Sequence, residues 1–326
     1  MIPNPDGNLH VYMLSVGQAD ATVIVSPEGR TMVIDATRGS KILDLLNQLG
    51  NDGTLENLVI THPHSDHFSG GNRLAQDLQI QEATVAPFWH EFGMGPPTYQ
   101  RLVARLAAQH TNTVFLSGYS RWYPDGAMTS PPVGEDPVVD SHAPFLELLG
   151  PTNGMIARVE AANVFNTNHL SIITRLTWRN FRMLIAGDAQ MENWQAFDEA
   201  GMLSEGCRVL RAAHHGSPNG TQWERVNRLG PREVIVSSDP GSGHHLPDLT
   251  ATAIFAKFDN DDGQLAVVTR DSGTIHLRVT RGGTRTFRRF GDQPNQNVDL
   301  NDGRALTAAS NPTDWAALLA DRVAGL

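Results

Sequence analysis

Cysteine is almost missing from this chain: Cys207 stands alone among 326 residues. An intrachain disulfide is therefore impossible, which fits a reducing cytoplasm. Long apolar runs are missing too; nothing approaches the ~18 consecutive apolar residues of a membrane span. The start, Met1-Ile2-Pro3-Asn4-Pro5-Asp6, has neither a basic n-region nor an apolar h-region, so no signal peptide is expected. Nor is there an excess of basic residues: 25 Lys and Arg stand against 35 Asp and Glu, a formal net charge of −10. That balance argues against a tight, non-specific grip on duplex phosphates. It leaves room for a short or single-stranded substrate if bound cations supply positive charge locally. The expectation is a cytoplasmic protein with no membrane segment and no internal repeat.

What is present is concentrated in Thr61-His62-Pro63-His64-Ser65-Asp66-His67-Phe68-Ser69-Gly70-Gly71. Three histidines and one aspartate fall within six residues, directly after Leu58-Val59-Ile60, which reads as a short buried strand. Alternate residues of an extended chain face the same way, so His62 and His64 can address one point. Beyond the turn, Asp66 and His67 can address a second. Neutral imidazole and carboxylate are ligands that Zn²⁺ accepts, at about 2.0–2.2 Å. A buried group of such residues without a metal would be hard to satisfy.

This stretch resembles the signature of the metallo-β-lactamase superfamily. In its full form, THPHSDHFSGG, it resembles the hydrolase domain of ComEC-type competence proteins. The resemblance implies an α/β fold, an αββα sandwich of two mixed sheets with a two-metal site at one edge. Val16-Gly17-Gln18-Ala19-Asp20-Ala21 is similar to the VGQGDA element of those domains, with Ala19 in place of a glycine, a change expected to alter the local backbone. Asp35, closing a strand, matches the superfamily's first motif aspartate, whose implied role is to hold the metal loop by hydrogen bonds. Thr167 to Leu176 resembles an Asn-x-x-Ser element leading into a strand. Many relatives place a third histidine for the first metal near it, so His169 or a water is expected there. Gly187-Asp188-Ala189 matches a GDA element whose aspartate bridges two cations.

His214-His215-Gly216-Ser217 matches an HHGS element. The resemblance implies His214 as the last ligand of the second metal and His215 beside it, against the substrate or supporting a ligand. The two can exchange roles, since neighbours on a strand face opposite sides. Gly243-His244-His245-Leu246-Pro247 resembles a Gly-His-Pro element with a leucine inserted and the histidine doubled. Either His244 or His245 can then donate a proton to a leaving group or hold a phosphate oxygen.

The remaining chain supplies a frame. Strands are expected at Leu9–Leu14, Ala21–Val25, Thr31–Asp35, Phe145–Pro151, Phe181–Ala186, Val209–Ala213 and Glu233–Ser238. A helix over Ser40–Leu49 places Ile42, Leu45, Leu46 and Leu49 on one face, with Ser40 as its cap. Further helices are expected over Ser69–Leu78, Thr98–His110 and Ala189–Ala200. Phe88 to Phe92, Tyr119, Trp122 and Tyr123 are expected mostly to pack a local core, with His90 beside Trp89 a candidate for substrate contact. Gln264–Phe290 reads as a hairpin turning at Asp271-Ser272-Gly273. The polar stretch Asp292–Asn311 reads as a linker, and Pro312–Leu326 as a helix with Trp315, Leu318, Leu319 and Val323 on one face.

Together these features give a hydrolase domain over residues 1–290 and a linker with an amphipathic helix over 291–326, whose apolar face covers the domain body, a second copy or a protein partner. By the resemblance, His62 and His64, with His169 or a water, take one divalent ion. Asp66, His67 and His214 take the other, and Asp188 bridges. Zn²⁺ suits the nitrogen-rich set and Mn²⁺ the carboxylate-rich half. A hydroxide between the ions is the implied nucleophile, with Asp66, His215, His244 and His245 as the candidate catalytic residues. The expected substrate is a phosphodiester in a nucleic acid or nucleotide. A carbonyl ester, lactone or lactam is the alternative, and a non-catalytic nucleotide or protein sensor the third reading.

Overall fold

Alternation along the first strand separates two cores. Leu9, Val11 and Met13 turn toward the space between two sheets, while Tyr12 turns outward to a helical layer. The computed structural model describes residues 5–87, 97–122, 128–129, 143–161, 166–201, 203, 206–239, 243–259, 264–291 and 298–324. In chain order the strands are β1 (Leu9–Met13), β2 (Ala21–Val25), β3 (Thr31–Ala36), β4 (Thr54–Ile60), β5 (Gln79–Val85), β6 (Asn112–Phe115), β7 (Tyr119–Trp122), β8 (Met128–Thr129), β9 (Phe145–Leu149), β10 (Ile173–Trp178), β11 (Phe181–Ile185), β12 (Val209–Arg211), β13 (Glu233–Val236), β14 (Leu265–Val268), β15 (Thr274–Val279), β16 (Arg285–Phe290) and β17 (Arg304–Leu306). The first sheet runs β17-β16-β15-β1-β2-β3-β4-β5-β6, and the second β14-β13-β12-β11-β10-β9-β7-β8. Both are mixed: β3 to β6 and β11 to β14 are parallel, the other pairs antiparallel.

Helices cover both outer faces. Against the first sheet lie α1 (Gly39–Gln48), α2 (Ser65–Phe68), α3 (Gly71–Asp77) and α4 (Pro97–Ala108), through Ile42, Leu45, Phe68, Leu74 and Leu102. The short helix α5 (Asn153–Ala161) closes an end of the inter-sheet core with Ile156 and Val159. Against the second sheet lie α6 (Met191–Glu199), α7 (Trp223–Leu229) and α8 (Leu249–Asp259), through Trp194, Phe197, Val226 and Phe255. Layers stack as α, β, β, α because each sheet has two apolar faces and needs a partner on each. After α9 (Thr269–Ser272) the chain ends in α10 (Trp315–Ala324). No helix among the described residues is long and apolar enough to cross a membrane.

Four local expectations are corrected. Gln264–Phe290 is not one hairpin: β14 belongs to the second sheet, α9 and Gly273 carry the chain across, and the hairpin is β15 with β16. Asp271-Ser272-Gly273 is thus a crossing between sheets. Ser40 does not cap α1, which begins at Gly39 after Arg38 in the left-handed region, with no side-chain cap. Gly39 is pressed there on the backbone of Gly70, where a Cβ would stand 2.4 Å from a carbonyl oxygen. Positive φ in the Val16–Ala21 element falls on Gly17, so the glycine missing at position 19 is not needed for it. Within the stretch expected to be a linker, β17 pairs with β16.

The C-terminal helix packs on the body. Trp315 is buried against Phe255 and donates to the Ala266 carbonyl at 2.8 Å. Leu318 joins it, while Val323 is exposed. Tyr119 bonds Glu147 and Trp122 is buried, so both serve packing. Phe88–Phe92, with His90, and Tyr123 lie outside the described residues.

Candidate metal centre

Four strands end at one edge of the sandwich and deliver the chemistry. Two are the parallel neighbours β3 and β4, which release Asp35 and the loop from Thr61; the others, β11 and β12, release Asp188 and the turn Ala213–Gly216. Ligand sites at the carboxyl ends of parallel strands are common because the connecting loops converge there. The two sheets meet at this edge through backbone, where Ile172 N–H donates to the Thr61 carbonyl at 2.9 Å; within the second sheet, His214 N–H donates to the Gly187 carbonyl at 2.9 Å. Gly187 has φ +52°, and a Cβ there would come within 3.0 Å of Thr61, so glycine alone fits before Asp188.

Ligand-type atoms of the described residues fall into three groups, two of which share Asp188. Atoms from Asp66, His67, Asp188 and His215 lie within 4.8 Å of one another, and so do atoms from His62, His64 and Asp188. Asp188 belongs to both because its oxygens face different ways. Oδ1 lies 3.2 Å from His67 Nε2 and 3.5 Å from His215 Nε2; Oδ2 lies 3.6 Å from both His62 Nε2 and His214 Nε2. Asp66 Oδ2 closes the first group at 3.3 Å from His215 Nε2.

The outer nitrogens of the histidines are fixed from behind. Asp35, fully buried, accepts from His67 Nδ1 at 2.8 Å and from Thr61 N–H at 2.9 Å. The Ser237 carbonyl accepts from His215 Nδ1 at 2.7 Å. Thr167 Oγ1 bonds His64 Nε2 at 2.5 Å, which leaves Nδ1 to face inward. Such partners select the tautomer and orientation that a metal needs. Nε2 of His62, His67 and His215, and Oδ1 of Asp188, are then buried without a hydrogen-bond partner. Four orphaned polar atoms aimed at one another are costly unless a cation lies among them. The residues present fit divalent metal ions.

Electrostatics agrees. Burial opposes charge on His67, yet Asp188 and Asp35 beside it raise its pKa well above the ordinary imidazole value. For His215 burial again opposes, and Asp188, Asp66 and Asp20 raise it to about 9. His62 is held well below its usual value by burial and by neighbouring His67. Burial alone would raise Asp188, but His67, His215 and His62 hold it far below the carboxylate range. The carboxylates thus demand positive charge at the cluster, and a bound cation would displace the imidazole protons.

The structure sorts the expected residues. His62, His64, Asp66, His67 and Asp188 come together. Of the neighbours His214 and His215, whose roles the sequence left open to exchange, it is His215 that stands with Asp66 and His67. Both have left-handed backbone, φ 50° and 53°, in a tight turn rather than on a strand, so the next-door rule for strands does not decide them. His214 sits at the rim, near Asp188 Oδ2, Asn168, Gln190 and Asn219. His169 is in neither group; its Nε2 faces Asn166 at 3.2 Å and Glu192 at 3.3 Å. His244 and His245 are exposed and belong to neither group. Their loop reaches the turn through Asp248 N–H, which donates to the Gly216 carbonyl at 3.1 Å. The rim amides Asn166, Gln190 and Asn219 and the clamp Ser237 were not legible, since carboxamides and serines are common in any loop.

A family model described as Metallo-beta-lactamase superfamily matches residues 14–237. Among solved structures the chain is similar to CmlA, a diiron beta-hydroxylase from Streptomyces venezuelae, at 14% identity over 79% of this chain and 52% of that one, TM-score 0.49. It is similar to the metallo-beta-lactamase fold protein YhfI from Bacillus subtilis at 12% identity over 80% and 96%, TM-score 0.46. Zn²⁺-bound PqqB from Methylobacterium extorquens is similar at 10% identity over 79% and 97%, TM-score 0.48. The chain spans about half the length of CmlA. No curated protein matches it.

Proposed function

Because this chain belongs to the metallo-beta-lactamase superfamily, we propose that it is a two-metal hydrolase acting on a phosphodiester. One observation carries the reading: the four orphaned atoms of His62, His67, His215 and Asp188 at the meeting point of two ligand groups. In this reading His62, His64 and Asp188 hold one ion and Asp66, His67, His215 and Asp188 the other. Zn²⁺ suits the imidazole-rich half, and Mn²⁺ is the rival at the half with two carboxylates. Bound there, the ions supply Lewis acidity and lower the pKa of water.

The chain's own residues do the rest. Asp188 faces both groups, one oxygen to each, and would help hold both ions. Asp66, half-buried, is the carboxylate assigned to take a proton from the attacking water. His214, at the rim, is set against a substrate oxygen, with Asn168 and Asn219 orienting its ring. His244 and His245 lie on the loop beside Gly216, where they can meet a departing group. The phosphodiester preference rests on the likeness of the Val16–Ala21, HHGS and metal-loop elements to ComEC-type domains, an analogy of family. An acidic chain with metal-supplied charge suits a short or single-stranded nucleic acid or a nucleotide better than long duplex.

The test is metal analysis of protein purified without added metal, then turnover of bis-nitrophenyl phosphate, nitrophenyl acetate and nitrocefin by that sample. Two ions per chain and cleavage of the phosphodiester are expected. Turnover confined to the acetate or the lactam would overturn the substrate assignment, and fewer than two ions the metal assignment.

A further inference from the structure

We infer that Arg211 and Asp20 form a positioning pair for the half of the centre built on Asp66, His67 and His215, an inference that rests on the two-metal reading above. Arg211 ends β12 in the second sheet, three residues before His214, and is fully buried. Its Nη2 donates to Asp20 Oδ1 at 2.6 Å and its Nη1 to Thr22 Oγ1 at 2.6 Å. Thr22 lies on β2 of the first sheet and Asp20 just before it, so one guanidinium ties the two sheets together at the edge that carries the site.

From there Asp20 reaches the site by several routes. Its N–H donates to the Asp66 carbonyl at 2.9 Å, and its own carbonyl accepts from Thr37 N–H at 3.2 Å. Thr37 Oγ1 in turn bonds the Asp66 carbonyl. The Asp20 carboxylate lies 3.6 Å from His215 Nδ1 and groups with Asp35 and His67. Ser237, whose carbonyl holds His215, donates its hydroxyl to the Ala19 carbonyl at 2.8 Å. The described hydrogen bonds and ion pairs of Asp20 and Arg211 therefore reach Asp66 and His215, and neither His62 nor His64. The Val16–Ala21 element thus forms the floor under one ion and not the other.

Stability alone is a poor reason for the pair. A buried ion pair gains little over apolar residues of the same volume, and Arg211 Nε is left without a hydrogen-bond partner. What the pair does achieve is geometric. Arg211 draws the Asp20 carboxylate toward itself, so His215 Nδ1 donates to a neutral carbonyl at 2.7 Å while His67 donates to a carboxylate at 2.8 Å. The two imidazoles are thereby oriented by different partners, and the backbone carbonyl of Asp66 is pinned between two donors.

The experiment uses the whole chain and Co²⁺, followed by visible absorption and by titration calorimetry. The variant is the pair Asp20→Asn with Arg211→Met, which removes both charges and leaves no buried charge unpaired. Wild type is expected to take two ions in succession. The paired variant, with a cooperative thermal melt, is expected to bind one of them about 10–100-fold more weakly and the other as wild type does. A merely structural pair would lower the melting temperature and leave both affinities alone, or weaken both alike; either result overturns the inference. Should the paired variant fail to fold, Thr22→Val loosens Arg211 without touching the ion pair. A weakening confined to one ion then supports the inference, and none overturns it. If wild type takes fewer than two ions, the two-metal reading falls and this inference with it; two ions in wild type and an indifferent variant defeat this inference alone.

Discussion

Asp35→Asn exchanges one buried oxygen for nitrogen and should move a proton across the ring of His67. Asp35 accepts from Thr61 N–H through Oδ1 and from His67 Nδ1 through Oδ2. In the variant the amide oxygen is expected to stay with Thr61 N–H, whose acceptor among the described residues is Asp35, so the amide NH₂ faces His67. That NH₂ demands a lone pair on Nδ1 and drives the imidazole proton to Nε2, the atom that faces Asp188. A protonated Nε2 cannot bind a cation. The hydrogen bond lost is charge-assisted, about 1.5–3 kcal/mol, which is roughly a 10- to 150-fold weaker ion. Asp35→Ala removes the same carboxylate but leaves Nδ1 free to keep its proton. It should therefore weaken the ion less than Asp35→Asn, while costing more stability because Thr61 N–H loses its acceptor, about 1–3 kcal/mol. Competition against a chromophoric chelator gives the affinities, and thermal melts give the stabilities. Wild-type affinity in Asp35→Asn, or Asp35→Ala binding more weakly than Asp35→Asn, would show that Asp35 does not act through the His67 tautomer.

Two further outcomes concern the frame. At Gly70 a Cβ would stand 2.1 Å from Gly39 N and 2.4 Å from the Ala36 carbonyl oxygen, both backbone, while φ of −84° adds no strain of its own. Gly70→Ala is expected to cost at least ~1–3 kcal/mol by overpacking, read as a lower urea midpoint; an unchanged midpoint refutes the close approach. His276, stacked on Tyr12 and bonded to His10, is pushed down to about 3 by burial and by His10, Arg288 and Arg278. Unfolded, it titrates near its ordinary value, so between about pH 6.5 and 3 the unfolded chain binds the extra proton and stability falls as pH falls. The full loss is on the order of 5 kcal/mol below pH 3, and His276→Gln should flatten that limb in urea melts from pH 7.5 to 4. Parallel curves for the two proteins would refute it.

Much of the fold lies in local pattern. The period of Ile42, Leu45, Leu46 and Leu49 dictates a helix wherever it packs, and Leu58-Val59-Ile60 dictates a buried strand that must end before His62. Periodicity carries no information about which sheet a strand joins. Leu265–Val268 and Thr274–Val279 read alike, yet one enters the second sheet and the other the first, because the choice is made by neighbours distant in sequence. The same holds for the polar stretch whose Arg304–Leu306 finds an edge to pair with.

The site divides along the same line. His62, His64, Asp66 and His67 lie within six residues, and a chain so short has few ways to separate them, so their partnership was settled by sequence alone. Asp188 follows a strand and a glycine, and that too is local. Which of His214 and His215 turns inward was settled by two left-handed residues and by a carbonyl on another strand, Ser237. His169 is kept from the cluster by Asn166 and Glu192, and Asp20 is drawn from His215 by Arg211, a residue 191 positions away. Spacing fixes what a short segment can reach; only the packing of two sheets fixes what each side chain meets there.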